Sequence, residues 1–166
     1  SVAFNPNDPL QFRGTALARG LDLLLRYQSK TYQSWLAYSY TKVDHRFESG
    51  GEAVVLAPDF NQLHRLNFTQ MISLPNWEFS LNWHYSSGRP FTQPQGINET
   101  EQNGNIFYDL RYDLPNQNRL PANHRLDIAA NYKFQQPSWR GKIGLSVYNV
   151  YNQYNAFDYD HYVLPP

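Results

Sequence analysis

The segment from Trp77 to Ser86 constrains this chain more than any other. Trp77, Phe79, Leu81, Trp83 and Tyr85 alternate with Glu78, Ser80, Asn82, His84 and Ser86. Successive side chains of a pleated strand point to opposite faces, so one face here is wholly apolar and the other wholly polar. A helical period does not fit that order, and the segment predicts a β-strand with one greasy and one wet side.

A duplicated phrase extends the pattern. His64-Arg65-Leu66-Asn67-Phe68 and His124-Arg125-Leu126-Asp127-Ile128 each follow a long polar loop and open an alternating run. Each run ends at a proline-bearing turn, Pro75-Asn76 or Gln136-Pro137-Ser138, after which a second strand returns. Hairpins with long loops at one end and short turns at the other are the arrangement of transmembrane β-barrels.

Six strands follow from the alternation: Ala16 to Gln28, Tyr32 to Phe47, Gln62 to Leu74, Trp77 to Ser86, His124 to Phe134 and Gly141 to Asn152. Ser29-Lys30-Thr31 is the first turn. A loop is expected from Glu48 to Asn61, containing Gly50-Gly51, and a longer one from Pro90 to Ala122. Asn149-Val150-Tyr151-Asn152 loses the alternation, which predicts a β-bulge.

Alternation alone does not say whether the apolar face meets a protein core or lipid. The strands are about 10 to 13 residues long, which suits a tilted bilayer crossing, whereas soluble strands average about five or six. Trp35, Trp77 and Trp139 lie near short turns, and Tyr38, Tyr40, Trp83 and Tyr85 toward the long-loop ends, as two interfacial aromatic belts require. Short turns follow the first, third and fifth strands and long loops the second and fourth, a segregation that a soluble sandwich has no reason to keep.

Composition agrees. Charged residues make up 17% and aromatics 16%, with Asn- and Gln-rich loops lowering the mean hydropathy to -0.66. Zero net charge leaves no basic footprint for nucleic acid. The absence of Cys excludes disulfides and Cys-ligated metal. No apolar run is long enough for a transmembrane helix, and Ser1 to Pro9 lacks the layout of a signal peptide.

Ala18-Arg19-Gly20-Leu21-Asp22-Leu23, Trp35-Leu36-Ala37-Tyr38-Ser39-Tyr40-Thr41, His64-Arg65-Leu66-Asn67, Ser87-Gly88-Arg89-Pro90-Phe91, His124-Arg125-Leu126-Asp127 and Tyr148-Asn149-Val150-Tyr151-Asn152 form an ordered set. That set resembles the late barrel strands of TonB-dependent outer-membrane receptors of the Bacteroidetes type. The resemblance covers most of the chain. It implies an all-β, antiparallel transmembrane β-barrel segment, six consecutive strands of a barrel of about 22. It also implies a plug domain and a final strand with a terminal aromatic, neither of them in residues 1–166, which stop at Leu164-Pro165-Pro166. The partners so implied are outer-membrane lipid, the TonB-ExbB-ExbD complex acting through the plug, a nutrient ligand and a capping surface lipoprotein in glycan importers. The location implied is the bacterial outer membrane. Siderophore, glycan, peptide and vitamin remain open as nutrient classes.

The polar parity is expected to line the barrel lumen with Arg65, Asn67, Glu78, Asn82, His84, Arg125, Asp127, Asn131 and Lys133. Contact with substrate or plug is the functional reading, and hydration and cross-strand pairing the plainer one. Arg65 and Glu78 are a candidate pair across one hairpin. Phe107, Tyr108, Arg111 and Tyr112 are candidate aromatic platforms and a cation for ligand in the long loop.

Asp44-His45 with Glu48, and Asp158 with Asp160-His161, carry metal-ligand chemistry, but chance clustering accounts for them better, and no metal or cofactor is expected. No nucleophile elbow, phosphate-binding glycine loop or zinc spacing occurs, so no catalytic residue is assigned. Two rivals stay open: a soluble carbohydrate-binding β-sandwich, and a membrane lipase using His84 and Ser86.

Overall fold

The computed structural model describes residues 14–49, 52–112, 114–159 and 161. Ser1 to Pro9, Gly50-Gly51, Asp160 and the Leu164-Pro165-Pro166 ending lie outside the described residues, as does the side chain of Glu48. The chain is all-β and antiparallel. Its strands are β1 (Gly14–Gln28), β2 (Tyr32–Ser49), β3 (Glu52–Leu56), β4 (His64–Ser73), β5 (Trp77–Ser86), β6 (Pro90–Phe91), β7 (Pro94–Gln102), β8 (Asn105–Tyr112), β9 (Asn118–Arg119), β10 (Asn123–Gln135) and β11 (Arg140–Val147).

The main sheet has the order β1-β2-β4-β5-β10-β11, with β3 folded back onto the far end of β2. Neighbours in this sheet follow one another in sequence once the loop strands are set aside. The turns are those read from sequence: Ser29 donates to the Tyr32 carbonyl, Leu74 to Trp77 and Gln136 to Trp139, each at 2.7 Å.

Register puts the apolar parities of all six long strands on one face. Leu23, Tyr38, Leu66, Tyr85 and His124 form one row, and Leu25, Leu36, Phe68, Trp83 and Leu126 the next. Leu81 pairs with Ile128, which pairs with Val147; Phe79 with Ala130, and that with Leu145. A one-residue slip at any interface turns a whole strand over, so five independent pairings agree on the same face. Ser34 and Gln70, opposite one another, are uncharged polar residues in the middle of that face.

Among the described residues no second layer covers that face; only Tyr151 folds against its edge, at Trp83 and His124. Leu21 is 64% and Leu145 72% exposed, and among the described residues Leu120 is the one buried hydrophobic residue. The chain exposes 13181 Å², against about 8500 Å² for a compact monomer of its 19.4 kDa mass. The main sheet is therefore a single layer, with no second sheet packed on its apolar face among the described residues; β6–β9 and β7–β8 form two small two-stranded sheets.

Three expectations need correcting. Trp35 belongs to the polar face, opposite Arg26 and Thr69, because the apolar parity of β2 runs through Tyr32, Leu36, Tyr38 and Tyr40. The expected loops contain strands: β3 pairs with the end of β2, from His45 opposite Leu56 to Ser49 opposite Glu52, and β7 and β8 pair within Pro90 to Ala122. Asn103 and Gly104 close the second hairpin at φ 55° and 75°, the conformation that makes Asn-Gly a hairpin signal. Finally, β11 ends at Val147, and Tyr148 to Tyr151 turns instead of bulging. Asn149 and Asn152, both at φ 52°, break the pleat there.

Candidate functional site

The predicted lumen residues do share the polar face. Asn67 pairs with His84 and His84 with Arg125, forming one row; Thr69, Asn82 and Asp127 form the next. His84 Nδ1 donates to Asn67 Oδ1 at 2.7 Å and Thr69 Oγ1 donates to Asn82 Oδ1 at 2.9 Å. Asp127 Oδ2 accepts from Arg125 Nε at 3.0 Å, and its Oδ1 takes the Asn149 backbone N–H at 2.9 Å. Alternation supplies the face, and antiparallel pairing places unlike polar groups within reach.

Arg65 and Glu78 do not pair. Arg65 lies opposite Ser86 and Glu78 opposite Ser73, at opposite ends of the hairpin and separated by about 27 Å of strand. Arg65 Nε donates to Gln62 Oε1 at 3.0 Å instead. Glu78 lies between two cations in register with each other, accepting from Lys133 at 3.1 Å and Lys142 at 2.5 Å. A carboxylate between two directly opposed lysines relieves their repulsion. Asn131 stands beside Glu78 in the same row.

The loop candidates split. On the β7–β8 hairpin, Phe107 and Arg111 share one face while Tyr108 and Tyr112 share the other. Phe107 is 50% exposed, and the Arg111 guanidinium lies over Gly96, where an added Cβ would meet it at 3.3 Å. They do not form one platform. Asp44 and His45 fall on opposite faces of β2: Asp44 pairs with Lys42 at 3.2 Å, and the His45 ring lies 6.3 Å from that of Phe60. Among the described residues no group of three possible metal ligands converges.

Sequence reasoning missed the feature that organises the outer end of the wet face. Asparagine and arginine side chains there take the place of strand neighbours. The buried amide of Asn61 accepts from Val43 N at 3.4 Å and donates to Val43 O at 3.2 Å. Asn155 holds both the N–H and the carbonyl of His124 at 3.0 Å. Asn116 donates to Ala57 O at 2.9 Å, and Arg119 donates to Asn61 O at 2.9 Å and Gly88 O at 3.0 Å. A planar amide carries a donor and an acceptor side by side, as a backbone edge does. The Asn-rich composition was the available signal, but only the fold reveals the partners.

These loops frame a cavity of about 330 Å³ at the long-loop end of the polar face, lined by Gln62, His84, Ser86, Arg89, Asn123 and Phe157 among others. Arg89 lies 4.8 Å from the centre of the Phe157 ring and donates to its carbonyl at 2.6 Å. The site combines an aromatic surface, a guanidinium, an imidazole and amides. Such groups bind polar ligands by hydrogen bonds and stacking. Ser86 is buried, and the His84 imidazole is engaged by Asn67.

Asp127 links this face to the turn after β11. Asp127→Ala removes a charge-assisted acceptor from Arg125 and from the Asn149 N–H, and is expected to destabilise by about 1–3 kcal/mol. Amide exchange at Asn149 should accelerate; unchanged protection there would refute the anchoring role.

Comparison with protein-family models, with curated proteins and with solved structures gives no match.

Proposed function

We propose that this chain is part of an outer-membrane β-barrel that imports a nutrient by a TonB-dependent mechanism. The observation that carries the membrane reading is one uncovered apolar face bounded at both ends by aromatic girdles. Near the short turns, Tyr27 lies 5.9 Å from Tyr32, Trp77 5.0 Å from Tyr132, and Phe134 5.1 Å from Trp139, ring to ring. Near the long loops, Tyr38 and Tyr40 flank His64, and Tyr151 meets His124. Leucine, isoleucine and valine fill most of the space between, the order a lipid-facing surface takes from one interface to the other.

Stagger supports the same reading. At its outer limit the band ends at Leu21 in β1 and one row lower, at His124, in β10; its inner limit falls from Tyr27 in β1 to Phe134, three rows lower, in β10. Strands that tilt as a sheet closes need such a progressive offset. The two outer strands of the described sheet each have a free edge, which further strands of a barrel would pair.

Import rests on the sequence resemblance, joined to a polar face with a rim cavity of suitable chemistry. A nutrient entering from the long-loop side would meet Arg89, Phe157 and His84 before the Arg125 and Asp127 rows. A soluble β-sandwich would require a second sheet against Leu21, Leu81 and Leu145. Purification discriminates: the complete protein should partition into the membrane fraction and need detergent to remain monodisperse. A monodisperse protein obtained without detergent would overturn the barrel. For transport, energised accumulation of the nutrient should vanish in cells lacking TonB; uptake at the same rate would overturn the coupling.

A further inference from the structure

We propose that Arg19 and Lys42 bind phosphate groups of an anionic lipid in the membrane leaflet at the long-loop end. They are direct partners across β1 and β2, on the apolar parity, one row beyond Leu21 and Tyr40. Like charges held directly opposite one another are unfavourable, and this pair sits on the outward face. Asp44, 3.2 Å from Lys42, is the one carboxylate among the described side chains of that face on these two strands, while Arg46 adds another cation. Lys42 keeps half of its side chain exposed. The opposed lysines of the polar face, Lys133 and Lys142, have Glu78 between them. Arg19 makes no ion pair among the described residues.

Depth selects the occupant. One row along a strand is about 7 Å, and the polar headgroup layer outside the hydrocarbon core is about 5–7 Å thick on each side. If the Leu21–Tyr40 row marks the limit of the hydrocarbon, Arg19 and Lys42 lie at headgroup level. A phosphate there supplies Arg19 with the anion that Asp44 gives only to Lys42, and a guanidinium and an ammonium are both suited to it. The acyl chains of the same lipid would lie along Leu21, Leu23 and Leu25. This inference rests on the barrel reading.

The test uses the complete protein in detergent, with native mass spectrometry against purified lipid A and its dephosphorylated form. Wild type should retain the phosphorylated lipid preferentially, and the Arg19→Gln, Lys42→Gln double variant should lose about tenfold or more in retention. Lys142→Gln, which alters a cation on the polar face, should leave it unchanged. Heat-modified gel migration identifies the folded variants. Equal retention of the two lipids, full retention by the double variant, or displacement of the lipid by millimolar inorganic phosphate would each overturn the proposal. A protein that proves soluble without detergent overturns the barrel itself, whereas a detergent-dependent protein with no phosphate preference overturns only this inference.

Discussion

Leu81→Arg in the complete barrel is expected to lower the unfolding free energy by about 2–4 kcal/mol. Leu81 is the central apolar residue of β5, with Phe79 and Trp77 toward the short turns and Trp83 and Tyr85 toward the long loops. Its cross-strand neighbours are Gln70 and Ile128. In the proposed barrel a guanidinium there would stand near the bilayer midplane, where it could not reach water without distorting the lipid or the strand. Asn82→Arg, one residue along, places the same charge on the polar face between Thr69 and Asp127, where a carboxylate is at hand. The second variant should be tolerated far better. Urea unfolding in lipid vesicles measures both, and equal damage at the two positions would mean that the lipid-facing parity is misassigned.

Gly88→Val is the second large effect, for a different reason. A Cβ at Gly88 would lie 1.6 Å from the Leu120 carbonyl oxygen. That atom is backbone, so no rotamer change relieves the overlap. Leu120 donates to Arg89 O at 2.9 Å, and Arg119 donates to Gly88 O at 3.0 Å, so the two segments cannot separate without losing both bonds. Overpacking of this kind is expected to cost about 3 kcal/mol and to open the rim cavity. Gly104→Ala is the control: its Cβ would meet nothing within 4 Å, although φ is +75°. It should cost about 1 kcal/mol locally and leave the global unfolding transition in place. Equal midpoints for Gly88→Val and wild type would show that the close approach is not maintained in solution.

Both predictions depend on different depths of reading. Leu81 and Asn82 could be assigned from alternation, because each long strand has one face in contact with a single kind of solvent and its sequence records that contact. The β7–β8 hairpin was illegible for the converse reason. Neither of its faces is covered, so no apolar period marks it, and only Asn103-Gly104 carried the signal. Gly88 and the Asn61, Asn155 and Arg119 bonds were equally hidden, since each depends on a segment about 18 to 58 residues away in the chain. The duplicated phrase lies between these cases. His64 and His124 were readable as the entrances to strands, yet their bonds to the Tyr38 and Tyr151 hydroxyls at 2.9 and 2.8 Å come from register and from a turn.

The amino-acid sequence by itself determined the strands, their short turns and the face each presents, because a period of two is a local property of the pleat. Tertiary structure decided which residues meet. Register parted Arg65 from Glu78, placed Glu78 between two lysines and set Arg19 against Lys42 at the margin of the apolar band. Those pairings depend on how far one strand slides along the next, and the alternation of any single strand leaves that shift undetermined to within multiples of two residues.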